Sequence, residues 1–309
     1  RPPMNIGDFR IRLTASMGIA ILEPEESGAE LLERADWSKM TAKKEGGNRY
    51  IVSGSERIPS HMGIIQARED LEVEYLLNTA LENGGLQLHY QPILGFNGSV
   101  LSVECLMRCT VNGKNIPPAR FLPVAEKSGL MVSLVEWSLL QGTRQAKHLS
   151  KSGLNTTVSI NVSGGQLADA RFSQALNAAI ILADVEPELI ELELSESLFM
   201  NTSDSIQANL RNAHDFGVSL AIDNFGSGYS SFHYLSEFPF SFLKIEGSLV
   251  KRLDDPKVRT IVQGMQRIAE ELDLITIVEF VENKTIAAIA GDIGINWAQG
   301  YYFGEPVLD

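Results

Sequence analysis

From Leu86 to its end, the chain repeats one pattern, in which a short β-rich run is followed by a longer helical run. Several β-rich runs are apolar on both faces, which is typical of a parallel sheet covered by helices. They read LQLHYQPI, SVLSVECLMR, TVSINVS, LIELELSE, VSLAIDNF, FLKIE, ITIVEFVE and QGYYFG. This repetition predicts an α/β chain with a (β/α)8 barrel of the TIM-barrel type. A doubly wound open sheet is the alternative, but no G-x-G-x-x-G or Walker-type loop supports it.

The helical runs of the repeat have apolar residues at helical spacing. They predict helices at 119–149, 169–183, 203–216 and 256–272. A different pattern precedes the barrel, with a strand predicted at 9–22, a helix at 28–44, a strand at RYIV and a helix at 64–83. We therefore divide the chain into a small α+β segment at 1–55, a linker and connecting helix at 56–84, and a barrel at 85–309.

Composition limits the partners that this chain can have. Its net charge of −13 repels nucleic acid and anionic membranes, so we expect neither bulk nucleic acid nor a membrane surface as a partner. No signal peptide or membrane-spanning stretch is evident in the 309 residues, and we expect a cytoplasmic location. Two cysteines, Cys105 and Cys109, are too few for a zinc cluster or a disulfide framework and are expected in the core.

Polar side chains recur where the predicted strands end. In a barrel these ends meet at one mouth, where active sites lie. The residues placed there are Glu104, Asn161, Glu196, Asp223, Asn224, Lys244, Glu246, Glu279, Glu282 and Gln299.

Such a collection of carboxylates predicts a site for divalent cations. Like charges at close range raise each other's pKa unless cations neutralise them. Mg²⁺ or Mn²⁺ prefers oxygen ligands, and a pair of such ions can activate water for phosphodiester cleavage. A nearby lysine can orient that water or stabilise the transition state. The structural alternative is a set of strand-end caps and surface ion pairs.

The order of the motifs resembles that of EAL-domain cyclic dimeric GMP (c-di-GMP) phosphodiesterases, a bacterial signalling family. ECLMR at 104–108 is similar to the signature E-A-L-x-R, and QPI precedes it at 91–93. SINVS, ELSES, DNFGSGYSS, LKIE, VEFVE and QGYYFG follow in the family's order across about residues 70–309. Residues 9–52 resemble the end of a GGDEF domain, whose signature is absent, so we expect no cyclase activity.

The resemblance implies a role for each matching residue. It implies metal ligands at Glu104, Asn161, Glu196, Asp223, Asn224 and Glu279. It implies that Lys244 lies near the attacking water, and that Glu282 supports the loop at DNFGSGYSS. It implies ligand contacts from Gln91, Leu106, Arg108 and Gln299, with Arg108 suited to a phosphate oxygen.

Three departures from the family pattern bear on catalysis. Asn224 stands where the family has aspartate, and an amide oxygen binds cations more weakly than a carboxylate does. Phe280 replaces the glycine of E-G-V-E, and we expect its ring to displace Glu279 or to fill ligand space. Glu246 replaces an aspartate and is one methylene longer.

Three functions are therefore compared. The first is a c-di-GMP receptor with weak or absent hydrolysis, which passes its signal to a protein partner. The second is an active metal-dependent phosphodiesterase that gives the linear dinucleotide pGpG. The third is an interaction module without a ligand. The resemblance also implies a homodimer.

Overall fold

The computed structural model describes residues 4–6, 9–11, 16–24, 26–44, 50–53, 62–200, 202–227 and 232–308. Parts of the predicted strand at 9–22, of the linker and of the DNFGSGYSS loop lie outside these residues. The chain divides into two compact units, Arg1–Glu72 and Val73–Asp309. The boundary lies inside the connecting helix that the sequence predicts.

The first unit is small and mixed. Its strands are β1 (Met4–Ile6), β2 (Phe9–Ile11), β3 (Met17–Ile19) and β4 (Tyr50–Val52), and its helix α1 is Gly28–Lys44, as predicted. β1 pairs antiparallel with β2, and β3 pairs parallel with β4. A Cβ on Gly18 of β3 would come within 1.8 Å of the Ala35 carbonyl oxygen, so the glycine permits this close approach of strand and helix.

The helices that follow begin with α2 (Met62–Asn83), which crosses the unit boundary. The others are α3 (Pro118–Ser128), α4 (Met131–Lys151), α5 (Gly164–Leu167), α6 (Phe172–Ala183), α7 (Asp204–Asp215), α8 (Tyr234–Glu237), α9 (Gly247–Val250), α10 (Pro256–Glu271) and α11 (Lys284–Ile293). The single helix predicted at 119–149 is therefore two helices. Gly129 separates them with a left-handed φ of 79°, a conformation that ends a helix.

The second unit contains the barrel. Its strands are β5 (Leu86–Gly95), β6 (Val100–Val111), β7 (Lys114–Ile116), β8 (Thr157–Val162), β9 (Ile190–Ser195), β10 (Ser219–Phe225), β11 (Phe242–Ile245), β12 (Ile275–Val278) and β13 (Trp297–Ala298). Among the described residues, the sheet order β5-β13-β12-β11-β10-β9-β8-β6 closes through β5–β6 pairing. The predicted α/β barrel is confirmed, and β7 extends β6 outside it.

One barrel strand runs against the others. β5 is antiparallel to both of its barrel neighbours, β6 and β13, whereas the remaining neighbours are parallel. The cause is the short connection from Gly95 to Val100, because a parallel pair needs a crossover of a dozen or more residues. The sequence run QGYYFG was expected to be the last strand, but β13 ends at Ala298, before it.

The barrel interior has an apolar layer beneath its polar mouth. Ile93, Ala221, Phe242 and Ile277 form a separate buried cluster. Each lies two residues from a polar residue of the predicted site, namely Gln91, Asp223, Lys244 and Glu279. Because alternate residues of a strand share one face, the polar side chains sit one layer nearer the mouth, on a packed apolar floor.

Candidate functional site

Lys244 lies at the centre of the polar layer. Its side chain on β11 is fully buried, and its Nζ lies 3.1 Å from Glu104 Oε2, 2.7 Å from Glu193 Oε2 and 3.0 Å from Glu279 Oε1. These carboxylates come from β6, β9 and the end of β12. A lysine with this much burial needs such partners, because an unpaired buried charge is very costly.

Amide side chains occupy the remaining positions around Glu104. Gln299 Nε2 donates to Glu104 Oε2 at 2.6 Å, and Asn161 Nδ2 donates to Glu104 Oε1 at 2.8 Å. Gln299 also reaches Gln91 Oε1 at 3.2 Å, and Gln91 Nε2 donates to the Gly304 carbonyl at 2.9 Å. Both oxygens of Glu104 are thus held by donors from different strands, which fixes this carboxylate in one orientation.

The pKa values of the buried carboxyls are shifted in different directions. Burial would raise the pKa of Glu104, but Lys244 and the bonds from Gln299 and Asn161 hold it below its usual value. Burial raises the pKa of Glu279 to about 8, against the attraction of Lys244.

Two further carboxyls are shifted upward. Burial and the neighbouring Glu104 raise the pKa of Glu193 well above its usual value. Burial also raises the pKa of Asp223. Lys244 itself loses solvation, yet Glu104 and Glu193 raise its pKa well above the ordinary value. One lysine faces three buried glutamates and the partly buried Asp223, so the site holds more acid than its own cation can neutralise.

Glu193 is a site residue that the sequence reasoning missed. The sequence placed Glu196 in the acid cluster, but the structure puts Glu193 there, bonded to Lys244. The sequence LIELELSE could have indicated this position. Glu191 and Glu193 are two residues apart and therefore share one face of the strand, whereas Glu196 lies beyond the strand end. Glu191 lies one layer deeper, where it accepts a 2.7 Å bond from Ser159 Oγ, and burial raises its pKa to about 7.

Glu196 instead holds the loop that follows β10. Its Oε2 accepts bonds from the Gly226 amide at 3.1 Å, the Ser227 amide at 3.2 Å and Ser227 Oγ at 3.1 Å. Its Oε1 accepts a 2.8 Å bond from the Tyr234 hydroxyl. Glu196 therefore holds the described start of this loop, at Gly226 and Ser227. Glu282 is half-exposed and pairs with Lys251 at 3.1 Å; its predicted support of the DNFGSGYSS loop involves residues outside the described ones and stays a prediction.

Replacing Tyr234 with phenylalanine should destabilise the protein by about 1.5–3 kcal/mol, because a buried bond to a charged acceptor is lost. Tyr234 is buried, and its hydroxyl reaches Glu196. Urea unfolding measures the loss, with Tyr75→Phe as the control because Tyr75 is 70% exposed. Equal midpoints for the two variants would contradict a structural role for this bond.

Asn224 bonds to its neighbour in the cluster. Its Nδ2 donates to Asp223 Oδ2 at 2.6 Å, and its backbone amide donates to Asp223 Oδ1 at 2.8 Å. Its φ is 58°, a left-handed value that asparagine tolerates better than most residues. The Asn224 side chain therefore donates a hydrogen bond at the position where the resemblance implies a second aspartate.

Phe280 does not displace Glu279, which was the first of the two effects expected from the sequence. Glu279 stays buried against Lys244, while the Phe280 side chain points outward and is 53% exposed. The outward direction of the Phe280 side chain follows from its φ of 54°, because this value turns the backbone between Glu279 and the buried Val281. The substitution thus leaves the acid cluster in place.

Leu106 and Arg108 continue the face that carries Glu104. They lie two and four residues beyond it on β6, and side chains alternate between faces of a strand. Both are partly buried, and Arg108 Nη1 donates to the Met107 carbonyl at 3.0 Å. The structure therefore places both side chains on the ribbon that extends past the mouth of the barrel. Glu246 occupies the N-cap position of α9 without a side-chain capping bond, and no hydrogen bond or ion pair joins it to Lys244 among the described residues.

The donor chemistry of the site fits a hard divalent cation. The part of the chain that the structure describes contains no group of three His, Cys, Asp or Glu side chains arranged around a metal position, and three of the carboxylates contact Lys244 instead. The side chains are nevertheless oxygen donors in acid excess, and the buried Glu193 Oε1 has no hydrogen-bond partner. These are the properties that Mg²⁺ and Mn²⁺ sites require.

None of the helices within the described ranges is long and apolar enough to cross a membrane.

Comparison with known proteins identifies related sequences. The family model described as "EAL domain" matches residues 76–306. The bifunctional diguanylate cyclase/cyclic di-GMP phosphodiesterase MucR of Pseudomonas aeruginosa is 33% identical over 99% of this chain and 44% of its own length. The cyclic di-GMP phosphodiesterase PdeR of Escherichia coli is 32% identical over 99% of this chain and 46% of its own. The chain therefore spans less than half the length of these relatives.

Solved structures show the same fold. The MucR phosphodiesterase in complex with c-di-GMP is 33% identical with a TM-score of 0.73, over 76% of this chain and 97% of that one. The EAL domain of FimX from Pseudomonas aeruginosa bound to c-di-GMP is 26% identical with a TM-score of 0.72, over 77% and 97% of the two chains. Because the EAL domain model matches residues 76–306 and these relatives are similar over nearly the whole chain, the chain belongs to the EAL domain family.

Proposed function

We propose that the barrel binds c-di-GMP and acts as a signalling receptor whose hydrolysis of this ligand is weak or absent. The observation that carries the proposal is Asn224 beside Asp223 in a site that is otherwise assembled. Its side-chain amide bonds to Asp223, so this position offers no second carboxylate. Binding tolerates such a change, whereas catalysis does not, because small displacements of reacting groups are costly.

Related proteins support the choice of ligand. The MucR phosphodiesterase and the FimX EAL domain are each described in complex with c-di-GMP. In this chain, Leu106 and Arg108 extend from the mouth on the Glu104 face, where Arg108 can meet a phosphate oxygen. Gln91 and Gln299 lie beside Glu104 and complete the ligand surface that we propose.

We revise the residues proposed to hold the cation, and the contacts of Glu193 with Lys244 support the change. The proposed residues are Glu104, Asn161, Glu193, Asp223 and Glu279, with the amide oxygen of Asn224 as a weaker ligand; Glu193 takes the place first given to Glu196. Mg²⁺ or Mn²⁺ bound by these oxygens would activate a water molecule and neutralise charge on a phosphodiester. Lys244 keeps Glu104, Glu193 and Glu279 close together and presents a positive charge next to that position.

An active phosphodiesterase is the second candidate. The intact group of Lys244, Glu104 and Glu279 favours it, since Lys244 contacts both acids. Its reaction would open one phosphodiester of c-di-GMP by adding water, which gives pGpG. Chromatography of the ligand after incubation with Mn²⁺ separates the candidates, because only the enzyme forms the linear product.

The receptor proposal predicts that c-di-GMP stabilises the folded protein by about 2.7 kcal/mol at 100 times its Kd. Differential scanning calorimetry measures the rise in Tm, and isothermal titration measures the Kd. Arg108→Ala should weaken binding by about tenfold or more, since it removes a charge-assisted phosphate contact. An unchanged Tm at millimolar ligand would instead support a ligand-free interaction module.

Three further assignments belong to the same proposal. Residues 1–55 form the end of a GGDEF-like domain, which the β3–α1–β4 arrangement and the name of MucR support. The barrel pairs with a second copy and signals to a protein partner. The chain acts in the bacterial cytoplasm, where c-di-GMP serves as a second messenger.

A further inference from the structure

Two glutamine side chains form a chain of hydrogen bonds in the polar layer of the barrel. Gln91 lies on β5, and Gln299 follows β13, the strand that pairs with β5. Gln299 Nε2 donates to Glu104 Oε2 at 2.6 Å and to Gln91 Oε1 at 3.2 Å. Gln91 Nε2 donates in turn to the Gly304 carbonyl at 2.9 Å. The chain of bonds therefore connects the segment after β13 with Glu104.

The groups at the two ends of this chain fix the direction of every bond in it. The ionised Glu104 carboxylate and the Gly304 carbonyl can only accept hydrogen bonds. Gln299 must therefore turn its nitrogen toward Glu104, and Gln91 must turn its nitrogen toward Gly304. Because a carboxamide has one nitrogen and one oxygen, the oxygen of Gln91 is the group that accepts from Gln299.

The two glutamines differ in the polar groups that they leave available. Gln91 is buried, and both its nitrogen and its oxygen are bonded within the protein. Gln299 uses its nitrogen for two bonds, whereas its buried Oε1 has no hydrogen-bond partner among the described residues. The acceptor that a donor from outside the protein can meet therefore belongs to Gln299.

We propose that Gln91 is a positioning residue, which acts on the bound ligand through Gln299. By accepting the second N–H of Gln299, Gln91 fixes the plane of that carboxamide and the direction of its free oxygen. A free oxygen favours a hydroxyl or an N–H of the ligand and disfavours a phosphate oxygen, which only accepts. The effect on ligand affinity rests on the proposed function, whereas the effect on the Gln299 side chain does not.

The first test measures the Gln299 side chain without any ligand. Gln91→Leu and Gln91→Met each remove both polar groups and keep an apolar side chain of similar size. In nuclear magnetic resonance spectra, one Nε2 proton of Gln299 should move upfield and exchange faster with water, because its acceptor is gone. Unchanged Gln299 signals in both variants would overturn the positioning role, whether or not the protein binds c-di-GMP.

A second buried glutamine provides the control for these variants. Gln266 donates to Glu270 at 2.9 Å and accepts from Thr276 at 2.6 Å, and it is as buried as Gln299. Gln266→Leu removes a comparable pair of bonds on α10, outside the proposed site. It should leave the Gln299 signals and the Kd for c-di-GMP unchanged.

A double-mutant cycle tests whether Gln91 reaches the ligand through Gln299. Gln91→Leu alone should raise the Kd for c-di-GMP about tenfold, as expected when one hydrogen bond to the ligand is misdirected. In a Gln299→Leu background the same change should alter the Kd by less than about twofold, because the group that it positions is already absent. Additive losses would show that Gln91 contacts the ligand itself and would contradict the inference.

The outcomes separate this inference from the proposed function. If the parent does not bind c-di-GMP, the proposed function fails, and the Gln299 signals alone decide the positioning role. If the parent binds c-di-GMP and Gln91→Leu changes neither the Gln299 signals nor the Kd, the inference is overturned while the receptor remains.

Discussion

Replacing Lys244 with methionine is expected to lower the free energy of unfolding by about 3–5 kcal/mol. Methionine has a similar length, so the change removes the charge and leaves little cavity. Three carboxylates, Glu104, Glu193 and Glu279, then lose their common cation in a buried site. Urea unfolding in the presence of EDTA measures the loss without added divalent ions.

A surface lysine provides the control for this experiment. Lys147→Met removes the ion pair with Asp184, whose side chain is 92% exposed, and should change the free energy of unfolding by less than about 1 kcal/mol. A similar small effect for Lys244→Met would show that the buried acids are neutral or hydrated without the lysine. The central position assigned to Lys244 would then be wrong.

The destabilisation by Lys244→Met should increase as the pH rises from about 5 to about 8. Without the lysine, burial and mutual repulsion raise the pKa of each carboxyl above its unfolded value. A carboxyl with a raised folded pKa contributes stability below its unfolded pKa, and this contribution is lost as the pH rises through the folded pKa. In the parent, Lys244 opposes this loss by keeping the pKa of Glu104 low.

Changing Asn224 to aspartate is expected to raise the rate of c-di-GMP hydrolysis by about 100-fold in Mn²⁺. The carboxylate restores an anionic oxygen next to Asp223 and removes the amide that donates to it. In EDTA the variant should be less stable than the parent, because two adjacent acids then repel each other. Added Mn²⁺ should reverse this order if the two acids bind the cation.

Chromatographic detection of pGpG measures the gain, and Glu104→Gln in the Asn224→Asp background is its control. The double variant should form no product, because Glu104 accepts the bonds that organise the site. A parent that already hydrolyses c-di-GMP at the rate of Asn224→Asp would favour the phosphodiesterase over the receptor. If Asn224→Asp binds c-di-GMP but gains no hydrolytic activity, a residue other than Asn224 limits hydrolysis.

Much of the fold followed from local patterns. The alternation of β-rich and helical runs predicted the barrel, and the helix at 28–44 matches α1 residue for residue. The break at Gly129 was missed, because apolar spacing continues across a single glycine whose left-handed φ is visible only in the structure. The direction of β5 was also missed, since a β-rich run does not say which way its strand is paired.

By itself, the sequence determined the barrel and some of the acids at its mouth, among them Glu104 and Glu279, because periodicity and strand-end position are properties of the chain alone. Only the tertiary structure decided which acids meet. Glu193 lies within β9, whereas Glu196 follows the last residue of that strand. Glu193 is therefore the one that faces Lys244 and joins the cluster. Likewise, a positive φ at Phe280 turns its ring away from Glu279 and onto Gly247, and neither the φ nor the contact is encoded in residue spacing.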